Sequence, residues 1–373
     1  MVAENLISTP FMADKAPIAE IFVYRDGADR IEEGFSLDEL PTLLEDRANL
    51  VWLDLRGEDV NDHKIIEELL IRVFRFHHLT VEDCIETRNQ PKVEAFPGYL
   101  FFIVHGVTPD KTTPTDFVTK ELDGYLGENF VVTFHLERFR SIKEVKTLIR
   151  STPLACQRGP AFLLHQILDR LVDNYNPVVD EFNKQIELIE DEVLLMQNGE
   201  SSMLERIMDV RRSVARLKRI STRQREVLYR MSHGEFKQIP ENILPFFRDV
   251  HDHLLRVTDL SESYRELVSG LVEIHFSVVA NRTNEVMKTL AVVSAIILPL
   301  SLIAGIYGMN FENIPELRTR YGYFAVLGLM GLLTLALLVY FKRRGWIFQS
   351  ERANTTNVER AKETHVDRTN DEE

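Results

Sequence analysis

Cysteine is scarce in this chain: two residues among 373, Cys84 and Cys156, cannot build a four-thiolate zinc site, and in a cytoplasmic domain both are expected to stay reduced and to carry no chemistry. The GxxxxGK[ST] loop that cradles nucleotide phosphates is missing, so coupling to ATP is not expected. No nucleophile, base and oxyanion donor set converges either, and the chain is not read as an enzyme. Basic charge is in deficit, with 44 Lys and Arg against 58 Asp and Glu and a formal net charge of −14. A phosphate backbone wants a basic face, so nucleic acid is excluded as a partner and cations are the natural counterpart. Met1 to Ala19 holds Glu4, Asp14 and Lys15 without a continuous apolar stretch, so no secretory signal is read there and the N-terminal part is expected in the cytoplasm.

Two stretches lack charge altogether. Thr289 to Phe311 is 23 residues long, roughly 34 Å as a helix at about 1.5 Å per residue, enough for a hydrocarbon core about 30 Å thick. Tyr321 to Phe341 follows after nine residues and, at 21 residues, spans roughly 31 Å. Together they read as a tight transmembrane hairpin in contact with lipid. Lys342, Arg343 and Arg344 directly after the second run mark a cytoplasmic stop, whereas Glu312, Glu316, Arg318 and Arg320 in the loop sum to zero. Both termini are therefore expected in the cytoplasm.

Ahead of the hairpin the pattern changes once. Ile18–Tyr24 and Leu50–Leu55 are rich in β-branched and aromatic residues and close on Asp26-Gly27 and Arg56-Gly57, which predicts strands. A helix is predicted over Asp59–Phe76, further strands over Lys92–Val107, Asp116–Leu126 and Asn129–Leu136, and a helix over Arg138–Arg150. From about Pro160 strand signals vanish. One helix is predicted from Phe162 toward Met196, stopped by Asn198-Gly199, and a second from Met203 to Met231. Glu181, Glu187, Glu190, Asp191 and Glu192 crowd the first, and Arg211, Arg212, Arg216, Lys218, Arg219, Arg223 and Arg225 the second. That opposition fits solvated complementary faces, or a gate element that senses ions or the basic cluster at 342–344. From Phe246 nothing breaks the helical pattern before Pro299, which is expected to kink rather than end it, giving one helix of roughly 60 residues, about 90 Å.

The expected fold is therefore an α+β cytoplasmic domain, a sheet covered by helices, followed by long helices and a two-helix transmembrane hairpin. The divisions are an N-terminal arm (1–17), the α/β domain (18–159), a charged helical hairpin (160–239), the cytoplasmic part of a long helix (240–288), the first span (289–311), an outer loop (312–320), the second span (321–341) and a basic stop with a disordered acidic tail (342–373).

The long helix carries a stripe at alternating steps of three and four: Glu273, Ser277, Ala280, Asn284, Met287, Ala291, Ser294, Leu298, Ser301, Gly305 and Gly308. Small residues here let another helix approach, or line a water-filled path; both hold if identical helices gather around a pore. His251-Asp252-His253 is no imidazole pair for one metal, because helical positions two apart point roughly 200° from each other.

The span ends in Tyr307-Gly308-Met309-Asn310, followed by Pro315-Glu316-Leu317. Here the chain resembles the CorA family of magnesium transporters, whose signature is Tyr-Gly-Met-Asn at the outer end of the first of two C-terminal spans, with a loop usually reading Met-Pro-Glu-Leu. Ile314 stands where Met is usual. The resemblance covers Ile18 to Trp346 and implies a funnel-shaped homopentamer in the cytoplasmic (inner) membrane. Gly308, Met309 and Asn310 then form the selectivity ring, with Asn310 its principal residue unless it only caps the helix, and Glu312 and Glu316 belong to the outer loop. Asn284, Met287, Leu290 or Ala291, Ser294, Leu298 and Ser301 line or gate the path, the apolar ones closing it by excluding water. Glu273 stands where the family often has Asp and keeps an inner ring of acids.

Mg2+ prefers octahedral oxygen ligands and gives up water reluctantly, so uncharged oxygens suit its passage better than carboxylates that would hold it. By resemblance, Glu82 and Asp83 with Asp249, and also Asp169 and Asp173, coordinate regulatory divalent metal between subunits; by sequence alone they are ordinary surface acids. Mg2+ is thus expected as both substrate and regulatory ligand, with Co2+ as a further permeant ion. The alternatives are a transporter of Co2+, Ni2+ or Zn2+, against which Pro315-Glu316-Leu317 favours magnesium, and a membrane-tethered metal sensor or scaffold that transports nothing.

Overall fold

The central strands bury side chains on both faces, which is why their sequences read as continuous apolar runs instead of alternating ones. A computed structural model of the chain describes residues 18–86, 89–152, 154–195, 201–309 and 320–346. The arm 1–17, the stop Asn198-Gly199, Asn310 with most of the outer loop, and the tail beyond Trp346 lie outside the described residues. Two units are present, divided after Ile274.

In the first unit the order is β1 (Ala19–Arg25), β2 (Glu32–Glu33), α1 (Leu40–Glu45), β3 (Asn49–Arg56), α2 (Val60–Arg72), α3 (His78–Ile85), β4 (Lys92–Phe96), β5 (Tyr99–Pro109), β6 (Phe117–Gly127) and β7 (Phe130–His135). There follow α4 (Arg140–Ser151), α5 (Leu154–Gln157), α6 (Pro160–Asp173), α7 (Asn176–Leu195), α8 (Ser201–Ser232) and the start of α9 (Leu244–Tyr307). The strands form one seven-stranded sheet, β2-β1-β3-β7-β6-β5-β4. Among the described strands only β3 and β7 pair in parallel, Val51 opposite Phe130 through Arg56 opposite His135.

On one face Ile21, Val23, Leu53, Leu55, Phe101, Tyr125 and Phe134 pack with α1 to α3. On the other, Phe22, Trp52, Phe102, Leu122 and Val131 join Leu168, Phe182, Val214 and Phe247 of the later helices in one continuous core.

Three expectations need correction. Lys92–Val107 is not one strand: Pro97-Gly98 turns it into the β4–β5 hairpin, with Gly98 at φ 90°, a left-handed conformation that favours glycine. The helix predicted from Phe162 to Met196 is two helices. It breaks at Asn174 and Tyr175, where Asn174 Nδ2 donates to the Arg170 carbonyl (2.8 Å) and the Tyr175 hydroxyl donates to the His105 carbonyl (2.8 Å). Pro177 falls in the first turn of α7, where its missing N–H costs no helical hydrogen bond, so Asn176-Pro177 marks a helix start. The helix predicted over Asp59–Phe76 starts with a capping box, Asp59 with Asp62, but ends at Arg72; α3 is a separate helix beyond Arg75, which has φ 55°.

The charged α7 and α8 share the Arg206–Glu192 pair, and two basic residues of α8 are engaged elsewhere: Arg216 bonds Asp116, and Lys218 bonds Glu262 of α9. A buried polar cluster ties β3, β7 and α4. Trp52 Nε1 donates to Thr133 Oγ1 (3.0 Å), Thr133 donates to Asp54 Oδ1 (2.5 Å), Lys146 Nζ lies 2.6 Å from Asp54 Oδ2, and His135 Nε2 lies 3.3 Å from Asp54 Oδ1.

The second unit holds the rest of α9, continuous through Pro299, and α10 (Gly322–Arg343). Both helices are long and apolar enough to cross a membrane. Their side chains are mostly exposed in the single chain, Leu298, Leu302, Phe324 and Leu332 among them, an apolar surface suited to lipid or to other helices and not to water.

Candidate ion path and metal cluster

The stripe predicted for α9 is an exposed face. Glu273, at the end of the first unit, is exposed, and so in the second unit are Asn284, Met287, Leu290, Ala291, Leu298, Ser301, Gly308 and Met309, with Ser294 half-buried. Off the stripe Val292 is buried, but Val293, Ile297, Leu302 and Ile306 are exposed as well, so in the single chain the stripe is set apart by its side chains and not by its exposure. Steps of three and four average 3.5 residues per turn, and a straight helix of 3.6 drifts by about 20° per heptad, so this face winds slowly around α9. Identical helices presenting it to one another would tilt or supercoil. The helix closes where Gly308 N–H donates to the Ala304 carbonyl (2.9 Å); a Cβ at Gly308 would lie 3.0 Å from that oxygen, a tight approach. Chemically the stripe offers hydroxyls, an amide and bare backbone, punctuated by long apolar side chains. A hydrated cation would meet only uncharged groups on such a surface.

In the first unit a different set converges. The apolar face of α6 (Leu164, Ile167, Leu168, Leu171) and that of α9 (Phe247, Val250, Leu254) are both buried in the core, which brings Asp169 of α6 beside Asp249 and His253 of α9. One ligand atom from each of these three lies within 4.8 Å of the others, close enough to hold one metal ion after modest adjustment. His253 Nε2 is 3.9 Å from Asp249 Oδ1, one helical turn away. Burial raises the Asp169 carboxyl above its ordinary range, and Asp173 adds to the rise; burial favours the protonated acid, whereas the like charge of Asp173 favours a cation there. Asp173 is thus an electrostatic neighbour and stands outside the three-residue group. His253 is a candidate ligand that the sequence pattern does not single out. His251 and His253 do diverge, His251 pairing with Asp252 (3.1 Å), but the informative spacing was Asp249 to His253, i to i+4 on one face.

Glu82 and Asp83 lie on α3 and are not in that group. Asp83 Oδ2 is 2.5 Å from Lys92 Nζ, and Glu82 Oε2 is 3.8 Å from His78 Nδ1. Neither cysteine is poised as a thiolate: burial pushes the Cys84 thiol well up, and that of Cys156 up to about 12.

Residues 47–343 match the family model described as CorA-like Mg2+ transporter protein. The chain belongs to this family. Like other members of the CorA family it is a divalent-metal transporter, a membrane protein with two C-terminal spans, and not an enzyme. It is 33% identical over 303 residues to the cobalt/magnesium transport protein CorA of Thermotoga maritima, covering 81% of this chain and 85% of that one. It is also 34% identical over 295 residues to YfjQ of Bacillus subtilis, 79% of this chain and 89% of that protein. The complete structure of the CorA magnesium transporter from Methanocaldococcus jannaschii superposes with a TM-score of 0.75 at 22% identity, over 89% of this chain and 100% of that one. The CorA fold is thereby shared from the sheet to the paired apolar helices.

Proposed function

We propose that the protein is a channel-like transporter that admits Mg2+ into the cytoplasm down its electrochemical gradient, assembled as a homopentamer with α9 of each copy facing a central path. The observation that carries this reading is the stripe along α9, continuous through Pro299, that begins at Glu273 and is polar or small at most positions and free of fixed charge beyond Glu273. Residues 289–311 and 321–341 are the spans, both termini are cytoplasmic, and Lys342 to Arg344 meet the inner leaflet. Asn310 supplies a ring of amides at the outer mouth, with Gly308 and Met309 shaping it and Glu312 and Glu316 beside it. Met287, Leu290 and Leu298 narrow the path where water is excluded. An inside-negative potential suffices as driving force, since about 2.3 kcal/mol per charge per 100 mV doubles for a divalent ion.

Cytoplasmic metal holds the closed form, bound by Asp83 of one copy and by the Asp249 region of the next, with Asp169 and His253 completing the latter. A ligand of this kind shifts the population only by binding the closed state more tightly. Transport of Co2+ is the second reading, supported by the imidazole in that cluster, which suits borderline metals better than Mg2+.

The test is influx into proteoliposomes under an inside-negative potential, wild type beside Asn310→Ala, with Mg2+, Co2+ and Zn2+ in parallel. Magnesium influx that requires Asn310 is expected. No flux of any divalent ion in either protein would leave a tethered sensor, and a Co2+ or Zn2+ preference would keep the path and change the substrate.

A further inference from the structure

Asp83 does not present a bare carboxylate. Its Oδ2 accepts a 2.5 Å charge-assisted hydrogen bond from Lys92 Nζ, and both side chains are about two-thirds buried. The backbone around the pair is fixed from both sides. Lys92 opens β4 and is held in register opposite Ile103, while Asn89 Nδ2 donates to the carbonyls of Asp83 (2.6 Å) and Glu86 (2.5 Å), with Glu121 Oε1 3.2 Å away. The Asn89 N–H donates to Glu121 Oε2 (3.0 Å), so the end of α3 is clasped to the sheet.

The ammonium has a second seat. Glu94, two residues along the same strand and on the same face, places Oε1 3.6 Å from Lys92 Nζ, and the Phe101 ring centroid lies 5.4 Å away. A divalent ion and an ammonium cannot share one carboxylate oxygen at hydrogen-bond range without strong mutual repulsion.

We propose that Lys92 is a tethered competitor for Asp83: it neutralises the carboxylate while metal is absent, moves to Glu94 when metal arrives, and so sets the metal concentration at which Asp83 fills. This rests on the reading of Asp83 as a regulatory ligand. It also changes what an emptied site does. With Lys92 in place Asp83 carries no uncompensated charge, so release of the closed form follows from loss of the metal bridge, without repulsion from Asp83.

The experiment uses the full-length protein in detergent and measures the Mg2+ concentration that raises the melting temperature by a set increment, since a ligand bound to the folded assembly stabilises it by mass action. Lys92→Met is expected to lower that concentration about threefold to tenfold, the range for a partly exposed ion pair. Glu94→Gln, which removes the second seat and leaves the Lys92–Asp83 pair intact, is expected to raise it. Lys92→Arg should stay near wild type. Asp83→Asn is the control for the underlying reading and should raise the concentration. If Asp83→Asn changes nothing, Asp83 is not a ligand and both ideas fall. If Asp83→Asn raises it while Lys92→Met leaves it unchanged or higher, Asp83 remains a ligand and the competitor is refuted. Should Lys92→Met not fold, the sign of the Glu94→Gln shift decides: no rise refutes the competitor.

Discussion

Asp54 is enclosed on all sides, and a carboxylate survives such burial only when cations and donors surround it. Burial alone would raise its pKa, but His135 and Lys146 together hold it at about 2. The sign follows from comparison with the ordinary value of about 3.9. A depressed carboxyl contributes stability that is complete above about pH 4 and is lost as pH falls through 2, an amount of about 2–3 kcal/mol. Asp54→Asn is expected to cost about 3–5 kcal/mol at neutral pH, because it leaves the Lys146 charge poorly paired. It should also flatten the fall in melting temperature between pH 4 and pH 2. Circular dichroism melts of both proteins across that interval check the difference. Cluster residues such as His253 belong to the same scale, but their meaning depends on partners far away in sequence.

At the scale of elements, α9 matters most, because a helix transmits rotation as well as position. Each residue turns the chain by about 100°, so deleting Ala280 would swing the stripe from Asn284 to Gly308 by that angle relative to the residues before it. Uptake is expected to be lost while membrane insertion, which depends on composition, persists. Inserting seven residues at the same point restores the phase to within about 20° and should recover part of the uptake. Influx in proteoliposomes together with protein yield in the membrane fraction separates the two outcomes. The span itself was legible in the sequence because transfer of apolar side chains sums along a segment and needs no knowledge of neighbours. The break between α6 and α7 is encoded locally too, in Asn176-Pro177, but helical periodicity on either side masks it.

For the whole molecule, the exposed apolar residues Leu260, Leu267 and Ile274 recur every seven positions along α9 and line a seam that is only partly covered in the single chain. A second copy is the natural cover. Leu267→Asp is expected to shift the assembly toward smaller species, measured as mass by light scattering in mild detergent, with the helical content of the cytoplasmic unit retained. The sequence by itself determined the two spans, most of the strands, the length of α9 and, through Tyr307 to Asn310, the family; each of these is written in a contiguous run whose physics is local. It did not determine that β3 pairs with β7 in parallel, that Asp169 meets Asp249 and His253, or that Lys92 occupies Asp83. Those juxtapositions depend on which buried faces pack together, and burial drives that packing without direction, so only the tertiary structure decides which polar side chains are carried into contact.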